Sequence, residues 1–206
     1  MRRHLRRLTV YSLLAGGLWV AAADDKSGKP KRPKHWAQAL AAKGVPNLHK
    51  VSDQLYRSAQ PTAVGMADLK EMGVETILTL RAFHSDREEI GETGLAYEHI
   101  YMKAWHPEEK EVVRFLQIVT NPKRQPVLLH CRHGADRTGT MCALYRMLVQ
   151  GWTKEEAVRE MRQGGFGFHR VFVNLPRFID ALDLESIRKR AGLPKPPKPE
   201  HPAKKQ

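Results

Sequence analysis

The segment His130-Cys131-Arg132-His133-Gly134-Ala135-Asp136-Arg137-Thr138-Gly139 constrains this 206-residue chain more than any other. It joins an apolar run, Pro126-Val127-Leu128-Leu129, to a second stretch containing Met141, Cys142, Leu144, Tyr145, Met147, Leu148 and Val149. The first run has the length of a buried strand and the second that of a buried helix. The loop between them therefore lies at a helix N-terminus, where unpaired N–H groups and the positive dipole end favour an anion. The same field favours the thiolate of Cys131 over its thiol, with Arg137 and the Thr138 hydroxyl close by in sequence. The planar arginine fork can hold two phosphoryl oxygens and follow them into a transition state, whereas lysine acts as a point charge. Gly134 lets the backbone approach those oxygens, and Gly139 allows close packing where the helix begins. These parts predict phosphoryl transfer through a cysteinyl phosphate.

The ten residues fit the pattern H-C-x5-R-[ST]-G, and the chain thereby resembles the cysteine-dependent protein tyrosine phosphatase superfamily. Its small atypical dual-specificity members from bacteria are the nearest likeness, since Leu55-Tyr56-Arg57-Ser58-Ala59-Gln60-Pro61 also looks like theirs. The resemblance implies an α/β fold with a central, mostly parallel sheet flanked by helices. It implies Cys131 as nucleophile, Arg137 as phosphate clamp, Thr138 as the hydroxyl that stabilises the leaving thiolate, and His130 with Gly139 as structural support. Arg132, His133, Gly134, Ala135 and Asp136 would complete the phosphate-binding loop with Arg137. No metal or cofactor is implied. A rhodanese-like sulfur transferase also carries a loop cysteine but lacks the paired H-C and R-T-G features. Low-molecular-weight phosphatases and arsenate reductases share the spacing yet place it near the chain start.

Hydrolysis of a phosphate ester needs a proton for the leaving oxygen, which a carboxylic acid on a nearby loop normally supplies. The region expected to hold it, Ile100 to Glu109, contains no aspartate. Asp136, Glu108, Glu109 and His106 are the candidates. Asp136 precedes the arginine as in the myotubularin branch of the superfamily, although it could equally hold the loop in shape. The two glutamates could simply complement a helix dipole. The missing aspartate keeps open a different class of function, a phosphate-binding module without turnover.

Arg132 and His133 are expected at the mouth of the loop, where added positive charge suits a polyanion such as an inositol polyphosphate or phosphoinositide. A deep pocket walled by Trp105 or Phe166 would instead suit phosphotyrosine, so phosphoprotein and inositol phosphate both stand as substrates. His169 and Arg170, in the Gly164-Gly165-Phe166-Gly167-Phe168-His169-Arg170 segment, are further candidate contacts. The segment could equally be a glycine-stopped connection whose phenylalanines pack into the core.

Arg2, Arg3, Arg6 and Arg7, the apolar stretch from Leu8 to Val20 and Ala21-Ala22-Ala23 predict a secretory signal peptide cleaved near Ala23. That implies export, most simply to a periplasm, with an uncleaved N-terminal membrane anchor as the alternative. Cys131 and Cys142 should not pair, because a helix carries the second sulfur several turns away. Cys142 reads as a small buried hydrophobe, and an accessible Cys131 would be open to oxidation. The formal charge of +13 attracts anionic partners. No aromatic-interleaved basic stripe, zinc pattern or helix-turn-helix points to nucleic acid. Much of the charge lies in the tails, which suits loose attraction to an anionic membrane surface. The sequence specifies no oligomeric state.

The domain organisation expected is a leader at 1–23, a basic linker at 24–44, one phosphatase domain at 45–191 and a proline- and lysine-rich solvated tail at 192–206. Strands are predicted at 54–57, 74–80 and 95–102, and a helix capped by Thr62 over 63–72. Another helix should run over 108–120, with Val112, Phe115, Leu116 and Val119 on one face. Thr153 and Glu156 form a capping box for a helix stopped by Gly164-Gly165, and 174–190 reads as one final helix.

Overall fold

The computed structural model describes residues 32–198, so the predicted leader lies outside the described residues. The chain divides into units 1–31 and 32–206, and the second contains every described element and both apolar clusters. Among the described residues, no helix is long and apolar enough to cross a membrane.

Six strands form one sheet: β1 (Gln38–Ala39), β2 (His49–Lys50), β3 (Leu55–Ser58), β4 (Thr76–Thr79), β5 (Ala96–His99) and β6 (Val127–His130). Their order is β1-β2-β3-β6-β4-β5, with β3, β6, β4 and β5 parallel and the first two strands antiparallel. A parallel central strand is covered on both faces, so it reads as a continuous apolar run. Alternation along β6 then splits the run between two cores. Val127 and Leu129 join the larger cluster with Phe115, Leu116, Met141 and Leu144, while Leu128 joins the smaller one with Met66, Leu69, Ile77 and Ile90. Each such side chain withdrawn from water contributes about 1.5–3 kcal/mol.

The larger core is roofed by α3 (Glu109–Val119), α4 (Asp136–Leu148), α5 (Lys154–Gln163), α6 (Asn174–Ala181) and α7 (Leu184–Arg190). The smaller lies under α1 (Ala63–Glu71) and the one-turn α2 (Arg87–Ile90). Thr62 caps α1 as predicted, its hydroxyl accepting from Gly65 N at 3.2 Å. In register, Ser58 of β3 and Thr79 of β4 both face His130 of β6, so three strands end level where the cysteine loop begins. The carboxyl edge of a parallel sheet is where α/β folds place ligands.

Several boundaries differ from expectation. Residues 35–44 are not all linker: Trp36 and Ala37 are buried, and β1 pairs with β2. The cause is on α5, where the Glu156 carboxylate accepts from Trp36 Nε1 at 2.6 Å and Glu160 accepts from Ala37 N at 2.6 Å. Glu160 is fixed in turn by two 2.8 Å bonds from the buried Arg146. Thr153 does cap α5, accepting from Glu156 N at 3.2 Å, but the Glu156 side chain turns to Trp36, His35 and Arg159 instead of completing a capping box. The single final helix is two, because Leu182 is extended and Asp183 opens α7 by accepting from Ser186 N. Of the predicted solvated tail, Leu193 packs against the larger core and its carbonyl accepts from Arg188 Nη1 at 3.0 Å.

Candidate active site

The loop between β6 and α4 runs from Cys131 to Ala135. None of the backbone N–H groups from Arg132 to Arg137 donates to another described residue, which leaves a row of amides free at the start of a 13-residue helix. The loop's other polar groups are committed to holding its shape. Gly134 O accepts from the fully buried Arg57 at 2.6 Å, and Asn47 Nδ2 bridges the carbonyls of His133 and Phe166 at 3.0 Å each. Gln60 N donates to Arg132 O at 3.3 Å. Arg57 also lies 3.6 Å from the centre of the Phe166 ring. The upstream Tyr56-Arg57-Ser58-Ala59-Gln60 motif is thus a brace for the loop.

Two glycines are required by contact. Gly134 has φ +68°, and a Cβ there would lie 2.4 Å from Ser58 O. A Cβ on Gly139 would meet Met161 Cγ at 2.9 Å, which sets the approach of α4 to α5.

Cys131 is only 2% exposed and stands at the floor of the site, a more enclosed position than the open cysteine expected from the sequence. It directly follows β6, a central strand flanked by β3 and β4. Cys131 and Cys142 are both free thiols. Thr138 is buried and its Oγ1 has no hydrogen-bond partner among the described residues. Arg137 is anchored along one edge, Nη1 donating to Leu80 O at 3.1 Å and Met102 O at 3.3 Å, so its remaining N–H groups are available to an anion.

Behind the loop, His130 Nε2 meets Asp86 Oδ2 at 2.6 Å with both side chains fully buried. Asp86 also accepts from Gln60 Nε2 at 2.8 Å, and Gln60 Oε1 accepts from Arg81 Nη1 at 2.9 Å. Burial pushes the Asp86 carboxyl up, but the His130 and Gln60 hydrogen bonds and nearby imidazoles outweigh it and hold the group below its ordinary value. Sequence reading missed Asp86, which sits 44 positions from its partner.

The acid candidates separate. Asp136 is buried, with Oδ1 accepting from His169 N and Oδ2 meeting His169 Nδ1, both at 2.8 Å. It therefore ties the glycine-rich segment after α5 to the loop and fixes His169 as its imidazole partner. Glu108 precedes α3 and pairs with Lys110 at 2.8 Å, which lowers its carboxyl from the ordinary range. Glu109 pairs with Arg190 of α7. Both glutamates thus have cationic partners on the protein surface. His106 is exposed in a tight turn in which its N–H donates to Lys103 O.

A cavity opens over Arg137, lined by Arg81, Phe83, Lys103, Trp105, Arg132 and Phe172 among others. Trp105 is thus at the mouth as expected. Phe166 is not a wall: it is buried under Arg57, because a cation–π partner and the core compete successfully for its ring. His133 and Arg170 are exposed, and the His133 ring lies 5.2 Å from that of His169. His133, Asp136 and His169 bring ligating atoms within 4.8 Å of one another, as do His84, Asp86 and Glu89. Asp136 and Asp86 already accept hydrogen bonds from His169 and from His130 and Gln60 in these groups.

Residues 38–171 match the family model described as DSP-PTPase phosphatase fused to NAD+ Kinase. The chain is 34% identical over 177 residues to the dual specificity protein phosphatase TpbA of Pseudomonas aeruginosa strain UCBPP-PA14, covering 85% of this chain and 78% of that one. A crystal structure of P. aeruginosa TpbA, as a Cys-to-Ser variant in complex with pTyr, superposes with a TM-score of 0.69 at 32% identity, over 78% of this chain and 98% of that one. The core catalytic domain of the PP-IP phosphatase Siw14 from S. cerevisiae, in complex with citrate, gives 0.66 at 26% identity, over 76% and 99%. With the loop, the parallel sheet and these likenesses in agreement, the chain belongs to the dual-specificity type of the cysteine-dependent protein tyrosine phosphatase family.

Proposed function

We propose that this protein is an exported phosphatase that hydrolyses phosphate monoesters, of the protein tyrosine and dual-specificity kind, through a phosphocysteine at Cys131. The observation that carries the reading is the combination of free amides from Arg132 to Arg137 with an Arg137 guanidinium anchored on one edge only. The Cys131 thiolate attacks phosphorus, the P–O bond to the leaving group breaks, and the leaving oxygen takes a proton. Water then attacks the phosphocysteine, and inorganic phosphate and the thiolate are released. The amides and Arg137 hold the three phosphoryl oxygens through both steps. The unpartnered Thr138 hydroxyl is a donor to the departing sulfur.

Asp136 with His169 is assigned as the proton source. The hydrogen-bonded Asp136 and His169 stand where the loop enters α4, a position from which a proton can be given to the leaving oxygen and later taken from water. His106 on the opposite loop is the other position worth testing. The aromatic walls Phe83, Trp105 and Phe172 suit an aryl phosphate, and TpbA in complex with pTyr supports phosphotyrosine as substrate. Arg81, Lys103 and Arg132 around the same cavity favour a second reading, an inositol phosphate of high charge, which the likeness to Siw14 supports. Export rests on the N-terminal arginines, apolar stretch and alanines.

Release of phosphate from an aryl phosphate, with trapping of the phosphoenzyme, tests the chemistry. Cys131→Ser should abolish turnover, by about 10⁴-fold or more, with the fold retained. Phosphate binding without release in the native protein would instead establish the non-catalytic module.

A further inference from the structure

Eight large hydrophobic side chains are exposed among the described residues, and five of them, Phe83, Tyr101, Trp105, Val171 and Val173, lie on three loops. Those loops follow β4, β5 and α5, and all three reach the Arg137 cavity. Phe83 and Trp105 line it directly, and Val171 and Val173 flank the lining residue Phe172. Exposure is 84% for Phe83, 67% for Trp105, 77% for Val171 and 55% for Val173. Single exposed hydrophobics are ordinary, but a ring of them around one opening is not.

The ring is held out by its supports. Asn174 Nδ2 donates to Ala104 O at 2.7 Å, Arg137 grips Leu80 O and Met102 O, and Asp136 holds His169. Inside it the charges are cationic: Arg81, Lys103, Arg132 and Arg137. Several carboxylates of the flanking segments have partners of their own, Asp86 in His130, Asp136 in His169, Glu89 in His84, Glu108 in Lys110 and Glu109 in Arg190. Aromatic and aliphatic tips around a basic centre have the composition of surfaces that settle at the headgroup boundary of a bilayer.

We propose that this ring is a docking surface for an anionic phospholipid bilayer. Phe83, Trp105, Val171 and Val173 enter the boundary between headgroups and acyl chains, and the phosphomonoesters reached are those presented at the membrane surface. A bilayer fits better than a folded partner because the contacts come from three separate loops around an opening rather than from one continuous face. Charge complementarity agrees, since residues 24–206 still carry +9 once the four leader arginines are taken from the +13 of the full chain. The tails can attract the protein to such a surface, whereas the ring orients the mouth toward it. Docking rests on the phosphatase reading only for its consequence, since binding itself is measured without turnover.

Residues 24–206, which contain the whole folded unit, should sediment with vesicles of phosphatidylcholine and phosphatidylglycerol in equal amounts, and far less with phosphatidylcholine alone. Brominated acyl chains should quench Trp105. The double variant Val171→Ser, Val173→Ser should lose about tenfold or more in partitioning while its turnover of a soluble aryl phosphate is unchanged. A phosphotyrosine peptide tethered to the vesicles by an acyl chain should be hydrolysed faster than the free peptide, and the double variant should lose that gain. Absence of sedimentation, undiminished sedimentation of the double variant, or equal rates on tethered and free peptide would each overturn docking. A preference for apolar-flanked free peptides would assign the ring to protein substrates. Failure to turn over any aryl phosphate would remove the phosphatase reading and leave the vesicle result standing.

Discussion

The floor and the rim of this site follow opposite rules. On the floor, Cys131, Gly134, Arg57, His130 and Asp86 are buried, and Gly134, Arg57, His130 and Asp86 are each fixed by contact with a distant part of the chain. On the rim, Phe83, Trp105, Val171 and Val173 face water on loops whose main chain is pinned. The chemistry is thus protected by the same contacts that stabilise the fold, while the choice of what reaches it is carried by side chains the fold hardly needs. Substitutions on the floor should cost folding and turnover together, and those on the rim should separate the two.

Gly134→Ala should give the largest combined effect. Its methyl group would overlap Ser58 O and Ala59 N, and its φ suits glycine alone, so the loop must move. A loss of about 2–3 kcal/mol in chemical denaturation is expected, with turnover reduced out of proportion to the folded fraction. Unchanged stability would show that floor and rim are equally pliable.

Asp86→Asn comes next, at about 2–3 kcal/mol, because it removes the charged partner of a buried imidazole. The pH dependence has a defined sign. A folded-state value below the ordinary 3.8 means that the Asp86 contribution is fully present above that pH and is lost as pH falls through the lower value. Thermal unfolding from pH 6 down to 2 should therefore show a shallower acid limb in Asp86→Asn than in the native protein.

Asp136→Asn and His169→Gln test the join between the two regions. With alkyl phosphates each should lower turnover by about 10²-fold, and with a nitrophenyl ester, whose leaving group needs no proton, by much less. An equal loss on both substrates would make the pair a tether only, and the same experiment on His106→Gln would then find the donor. The smallest effect is expected at Val171→Ser with Val173→Ser, whose unfolding free energy should stay within about 0.5 kcal/mol of native.

The loop, its flanking strand and helix, and the α/β alternation were legible because each is a local pattern: an apolar run, a glycine, a capping residue. Thr62 and Thr153 were found from cap signals three residues long. Trp36 was not, because its place depends on Glu156 lying 120 positions further on, and a lysine- and proline-rich surrounding disguised it. The break between α6 and α7 was hidden as well, since Leu182 keeps the apolar rhythm of one helix across the extended residue. The acid candidates came from the loop region expected to carry the acid and from the position before Arg137, and the pairs that Glu108 and Glu109 make with Lys110 and Arg190 were not legible there.

The ten residues from His130 to Gly139 by themselves determined that a cysteine and an arginine would lie together at a helix N-terminus, because a strand, a turn and a helix place them there whatever surrounds them. Only the tertiary structure decided which groups stand behind that loop and which stand around it. The Asp86–His130 pair, the Arg57 brace and the apolar ring exist because strands far apart in sequence end side by side at one edge of the sheet. Contacts of that range leave no periodicity in a chain, so they become visible only once the sheet is assembled.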